Sequence, residues 1–244
     1  MKKIQVEGRI GEHNVILETG IMAKQANGSC LLRCGNCVIL ATATMSKKPK
    51  EGIDFFPLTV EFQEKMYAAG KIPGGFFKRE TRPSTQATLI ARLIDRPIRP
   101  CFPDHFYHEV QVVVTVLSHD DSIYPDSLYI TAASAALSVS DIPFKGSIAA
   151  ANVLDDTKSL HVNPKAIIEE PALDMVVAGT KDAVLMIESK AKEISEERII
   201  EAIQEGHQTI KQFVSLQEEL VKQVGVTKVE VAGVQYDQAL YQKI

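Results

Sequence analysis

No apolar run in these 244 residues approaches the roughly 18–20 that a membrane-spanning helix needs, so an integral membrane protein is not expected. There is no low-complexity tract, and no repeat recurs at solenoid periods. The start, Met1-Lys2-Lys3-Ile4-Gln5-Val6-Glu7, is basic but turns at once to alternating polar and apolar residues. It lacks the apolar stretch of a signal peptide, so a cytoplasmic protein is expected. Positive charge is also short overall: 27 Lys and Arg stand against 31 Asp and Glu, for a net charge of −4. That balance excludes a protein that coats nucleic acid over its whole surface.

Only four cysteines occur, and three of them, Cys30, Cys34 and Cys37, have C-x3-C-x2-C spacing. Three thiolates so spaced can hold an iron–sulfur cluster with one iron left open. Gly35-Asn36 between two apolar runs reads better as a two-residue hairpin turn, with Cys34 and Cys37 facing each other. The rest of the chain shows no barrel of repeated strand–helix units. A disulfide is disfavoured in a reducing compartment.

Against this background one segment stands out. Residues 71–99 carry seven Lys and Arg and two acids, so the remainder of the chain sums to about −9. Inside it lies Gly74-Gly75-Phe76-Phe77-Lys78-Arg79. Cations neutralise phosphates and rings stack on bases of any sequence, which suits single-stranded nucleic acid. The competing reading buries both rings in the core and leaves the cations merely solvated. Strict alternation would bury one ring and expose the other.

Periodicity predicts a hairpin of residues 4–10 and 15–20, a second of 29–34 and 37–46, a solvated loop at 47–52 and a long strand over 55–67. Ser84 is positioned to cap a helix over 85–96 with an apolar arc of Leu89, Ile90, Leu93 and Ile94, stopped by Pro97 and Pro100. A strand over 109–118 is expected to be buried on both faces. An Ala-rich helix over 127–140 begins after Asp126. Hairpins over 147–154 with 160–163, and 173–178 with 183–188, come next. A long amphipathic helix, capped by Ser195 and closed by Gly225, ends the series. The order is α+β, not doubly wound.

Four stretches then bring a family into view: Phe55-Phe56-Pro57-Leu58-Thr59-Val60, Tyr67-Ala68-Ala69-Gly70-Lys71-Ile72-Pro73-Gly74, Lys78-Arg79-Glu80, and Leu89 through Pro100 with its Asp95-Arg96-Pro97-Ile98-Arg99 core. Together with Leu173-Asp174-Met175-Val176-Val177-Ala178-Gly179-Thr180, the chain resembles the first RNase PH-like domain of bacterial polynucleotide phosphorylases. Thr81 stands where the family usually has Gly, and Thr85-Gln86 where it has an acid after Ser84. The resemblance implies the ribosomal protein S5 domain 2-like fold of RNase PH over residues 1–225, in halves of about 1–145 and 146–225. Residues 226–244 would then be a linker and the start of an all-helical domain, cut short.

The implied activity is a 3′→5′ exoribonuclease that uses inorganic phosphate as co-substrate, with Mg²⁺, to release nucleoside diphosphates from single-stranded RNA. The implied assembly is a homotrimeric ring around an RNA channel, with RNA-degradosome proteins as further partners. The implied RNA contacts are Phe76, Phe77, Lys78 and Arg79 at the ring aperture, Arg82 near the loop tip, and Arg92 and Arg96 near the channel. Without the family, Arg92, Arg96 and Arg99 read as ion-pair residues, with Asp95 a candidate partner.

Catalysis by this domain is not expected. Competent relatives cradle phosphate with hydroxyl residues, often with an Arg, at the start of the helix matching 127–140. Here Pro125-Asp126-Ser127-Leu128-Tyr129 puts a carboxylate where an anion needs donors. Of two Asp expected near residues 168–174, only Asp174 is present, since Ile168 occupies the other position. One carboxylate makes a poor Mg²⁺ site. No catalytic or metal-binding residue is therefore assigned. An exosome-like ring subunit without enzyme role, and a stand-alone RNase PH acting on tRNA ends, are the alternatives.

Overall fold

Gly11 and Gly35 both take positive φ (59° and 57°), and each closes a two-residue turn between strands. The first turn joins β1 (Ile4–Ile10) to β2 (His13–Thr19), with Ile10 opposite His13. The second joins β3 (Gly28–Cys34) to β4 (Cys37–Pro49), with Cys34 opposite Cys37. The computed structural model describes residues 2–231, so most of the expected linker and helical-domain segment, 232–244, lies outside the described residues. All four thiols are free and buried. Burial pushes Cys30 and Cys37 up to about 12, and Cys34 and Cys101 up to about 11. Such thiols resist the ionisation that iron ligation requires, so the hairpin reading of the cysteine motif is the one the geometry supports.

Two sheets result. The larger has the order β1-β2-β3-β4-β6-β5, where β5 is Leu58–Glu64 and β6 is His108–Ser118; only the β5–β6 pair is parallel. The smaller runs β10-β9-β7-β8, from β7 (Ala149–Asp155), β8 (Leu160–Val162), β9 (Leu173–Gly179) and β10 (Val184–Ala191). Among the described residues three helices pack against the large sheet: α1 (Thr85–Ile98) on β5, α2 (Asp126–Ser138) on β3 and β4, and α3 (Glu196–Val224) on β1. Both α2 and α3 also pack on β7 of the small sheet. The α2 helix is therefore buried all round, with every residue after Asp126 inside. Its small side chains permit this. Gly28 of β3 touches it so closely that a Cβ there would collide with the Ala136 carbonyl and lie 2.6 Å from the Ser140 Cβ.

Polar groups inside this layer are satisfied across elements. Ser134 Oγ donates to Gln217 Oε1 (2.9 Å) and accepts from the Ile148 amide (2.9 Å), while Gln217 Nε2 donates to the Ile148 carbonyl (2.7 Å). One α2 and one α3 side chain are thereby tied to the residue just before β7. Beyond α3, Lys228 Nζ donates to the carbonyls of Leu137, Ser138 and Ser140 (2.8, 3.0 and 2.7 Å). A cation at a helix C-terminus satisfies otherwise orphaned acceptors. Burial lowers its pKa to about 8.

Several boundaries differ from the periodicity. The 47–52 loop is partly strand: β4 continues to Pro49, which pairs with His108 after a register shift, so only the far end is loop. The long strand over 55–67 shrinks to β5, because a 3-10 turn over Met66–Ala69 follows and ends on left-handed Gly70. Helix α1 passes through Pro97 to Ile98. A proline in the last turn costs one backbone bond, and the Pro97 ring is buried in return. The apolar side of α1 is Ala87, Ile90, Ile94 and Ile98, while Leu89 is 53% exposed. Strand β6 buries Val110, Val112, Val114 and Val116 fully, but Gln111 on its other face is exposed.

Candidate nucleic-acid interface

The segment between the 3-10 turn and α1, residues 71–84, has neither helix nor strand. At its tip Phe76 is 92% and Phe77 79% exposed, with the rings edge-to-face at 5.3 Å and 85°. Strict alternation fails because Gly75 (φ 75°) and Lys78 (φ 51°) are left-handed and turn the chain on either side of the pair. Neither ring is in the core. Lys78, Arg79 and Arg82 are exposed, and among the described residues none of the three makes an ion pair. Thr81 is not among the left-handed residues, so the glycine usual at this place is not demanded by backbone conformation here. Ser84 caps α1 through the Ala87 amide (2.9 Å), and the first turn carries no acid.

The loop stands away from the body. Behind its returning limb lies a cavity of about 600 Å³, lined by Phe62, Glu64, Lys65, Arg82, His119 and Tyr129 among others. The feet of the loop meet at one residue: the Lys71 amide donates to the Met66 carbonyl (2.9 Å), and the Met66 amide donates to Glu80 Oε1 (3.0 Å).

The α1 arginines divide. A groove of about 700 Å³ runs along the helix, with Arg92, Arg96 and Arg99 on its walls. Arg99 is engaged: Asp95 accepts two bonds from it (2.7 and 2.6 Å), and the carbonyls of Phe56 and Leu58 accept two more. Its guanidinium also lies 5.8 Å from the Phe56 ring centroid. Arg96 donates to Glu188 of β10 (2.7 Å). Arg92 is exposed in the groove. The ion-pair reading thus accounts for Arg96 and Arg99, and Glu188 was not singled out in the sequence because it lies 92 residues away.

Residues 12–143 match the model of the 3′ exoribonuclease family (RNase PH), domain 1, and residues 153–209 match its domain 2. The chain belongs to the 3′ exoribonuclease family. Among curated relatives, a polyribonucleotide nucleotidyltransferase of Natranaerobius thermophilus is 52% identical over 227 residues, 93% of this chain and 32% of the relative. One of Thermomicrobium roseum is 50% identical over 244 residues, 100% of this chain and 30% of the relative. The chain thus spans about a third of the length of the curated relatives it matches. Rice (Oryza sativa) Rrp46 superposes with a TM-score of 0.67 at 15% identity, covering 85% of this chain and 94% of that one. That likeness shows the RNase PH-like α+β fold.

Within this exoribonuclease fold the start of α2 is occupied by the protein's own groups. Ser127 is buried, and its hydroxyl donates to Asn163 Oδ1 (3.4 Å) while accepting from Asn152 Nδ2 (3.3 Å). Asn152 also donates to the Tyr124 carbonyl (2.8 Å). Tyr124 Oη in turn accepts from the Ile168 amide (2.8 Å), so Ile168 is held beside this cluster. The helix starts on Pro125 with no side-chain cap. Burial, and then the charge of Asp174, push the Asp126 carboxyl up to about 6. Partial burial also raises Asp174, opposed by Lys190 across the strand pair. The nearness of Asp126 to Asp174 is a second relation that spacing alone did not reveal.

These residues do not fit a Mg²⁺ site. The Ile168 side chain supplies no oxygen, Lys190 sits opposite Asp174 in the strand register, and the Ser127 hydroxyl is already shared between two asparagines. Nor does a carboxylate at the helix start welcome phosphate. Asp120, Asp155 and Asp156 act in turns and ion pairs. Asp120 accepts from the Ser122 amide, Asp156 from the amides of Lys158 and Ser159, and Asp155 from Arg198 (2.6 Å).

Proposed function

We propose that this chain is the first RNase PH-like domain of a longer polyribonucleotide nucleotidyltransferase, a phosphate-dependent 3′→5′ exoribonuclease that degrades single-stranded RNA to nucleoside diphosphates in mRNA turnover. In this reading the domain grips RNA and does not cleave it. Phe76 and Phe77 offer faces for base stacking, Lys78, Arg79 and Arg82 neutralise phosphates around them, and Arg92 and Arg96 continue the path along α1. Inorganic phosphate and Mg²⁺ act at a second RNase PH-like domain of the same protein. The protein assembles as a homotrimer whose three loops line one aperture, works in the cytoplasm, and is open to RNA-degradosome partners. Among the described residues no helix is long and apolar enough to cross a membrane. Residues 1–225 form the domain, in halves of about 1–145 and 146–225, and 226–244 lead toward a helical domain.

The observation that carries this reading is the pair of solvent-exposed rings beside three cations that make no ion pair among the described residues, in a chain of net negative charge. Burying neither ring costs the protein apolar surface left in water, which a partner with stacking faces offsets. Binding of a fluorescent oligo(A) tests it. Replacing Phe76 and Phe77 together with Ala is expected to weaken binding by about 1–3 kcal/mol per stacked base. The melting temperature should stay unchanged, because neither ring is packed into the core. Equal affinity of the double variant and the wild type would remove the stacking role.

A further inference from the structure

The basic loop is fastened at one point. From Ile72 to Arg79, no hydrogen bond joins the segment to the rest of the protein among the described residues. The outgoing limb is held by the Lys71 amide on the Met66 carbonyl (2.9 Å). The returning limb is held by the Glu80 carboxylate on the Met66 amide (3.0 Å). Both feet therefore rest on the backbone of a single residue, itself set by the 3-10 turn and the left-handed Gly70. Packing cannot replace the Glu80 bond, because the cavity lined by Phe62, Glu64 and Tyr129 lies behind that limb. The other bond near the returning foot, from Ser84 Oγ to Glu64 Oε2, is long at 3.4 Å, and the same hydroxyl already accepts from the Ala87 amide as the helix cap.

We infer that Glu80 is the positioning residue of the Phe76–Phe77 loop: its bond to Met66 closes residues 71–80 into a ring and presents both aromatics in one arrangement to single-stranded RNA. This role rests on the RNA-gripping reading above. Pinning the two feet removes part of the loop's conformational freedom before any ligand arrives, so less ordering entropy opposes binding. An acid beside three cations otherwise looks counterproductive in a site for phosphates. Its charge lowers affinity, and the closure of the loop is what it contributes in return.

The charge argument makes the test decisive. Glu80→Ala and Glu80→Gln remove the same negative charge, which by itself favours an anionic ligand, but only Gln keeps an acceptor for the Met66 amide. Two readouts are needed. The first is the rate at which trypsin cuts after Lys78 and Arg79 in RNA-free protein. The second is the affinity for fluorescent oligo(A). Losing a hydrogen bond to a charged group implies nicking about tenfold faster in Glu80→Ala, with Glu80→Gln near the wild type. Oligo(A) affinity should fall about fivefold in Glu80→Ala despite the gain in positive charge, and hold or rise in Glu80→Gln. Equal nicking of wild type and Glu80→Ala overturns the clasp, whatever RNA does. Faster nicking with equal oligo(A) affinity of the two variants overturns the positioning role. A wild-type chain that fails to bind oligo(A) overturns the RNA reading instead, and the nicking rates then decide the clasp alone.

Discussion

Arg96 of α1 donates a 2.7 Å hydrogen bond to Glu188 of β10, joining a helix of the large sheet to the edge strand of the small one. Both side chains are 56% exposed, so solvent screens the pair. Glu188→Gln should therefore change the urea unfolding free energy by less than about 1 kcal/mol. It also removes the negative charge that competes for Arg96, so affinity for oligo(A) should rise, whereas Arg96→Ala should lower it. Identical affinities in both variants would assign Arg96 wholly to the ion pair.

Lys78 carries a cation at the loop tip and occupies a left-handed position without being glycine. Lys78→Ala keeps the backbone cost and deletes the charge with its aliphatic stem. The slope of log affinity for oligo(A) against log salt should then flatten by about one unit. A slope equal to that of wild type means that Lys78 meets no phosphate.

The start of α2 argues against chemistry in this domain. With Ser127 engaged by two asparagines and the Ile168 backbone held by Tyr124, the chain alone should release no nucleoside diphosphate from poly(A) given phosphate and Mg²⁺. Product is read by thin-layer chromatography of labelled poly(A). Robust phosphate-dependent turnover by the 244-residue chain would refute the assignment of catalysis to another domain.

Asp126 gives stability a pH dependence of definite sign. Its folded value of about 6 lies above the ordinary 3.8, so the folded state holds the proton more tightly than the unfolded chain. The associated stability is complete below about pH 4, declines from there, and is lost as pH rises through 6. Asp126→Asn should match the wild type near pH 4 and exceed it at pH 7.5 by about 2 kcal/mol, the order that a shift of this size implies. Urea midpoints at the two pH values check it. Asp174→Asn should move the wild-type transition to lower pH, since the Asp174 charge is the second cause of the shift. An Asn advantage of equal size at both pH values would exclude this titration as its source.

Much of the fold was legible because its signals are local. Ser195 and Gly225 bound α3 as their capping chemistry requires, with the Ser195 hydroxyl accepting from the Arg198 amide and Gly225 left-handed at φ 66°. Gly35-Asn36 set the β3–β4 register from two residues. Where the reading slipped, a neighbour distant in sequence had intervened. His108 of β6 extends β4 to Pro49, and buried surroundings let α1 tolerate Pro97. The exposed Phe pair was named from composition, yet the direction of each ring depended on two left-handed backbone positions, one of them at a lysine, that no alternation rule foresees.

What the chain's order of residues determined by itself was the set of elements, the gathering of cations at one loop and family membership, all consequences of short-range pattern and charge. Only tertiary structure decided which charges stay available. It spent Arg99 on Asp95 and Arg96 on Glu188, left Lys78 and Arg79 to solvent, brought Asp126 near Asp174, and rested both feet of the loop on Met66. The physical reason is range. Turn and capping preferences act within a few residues, whereas pairing of charges and burial of hydroxyls depends on distances that exist only after sheets and helices have packed.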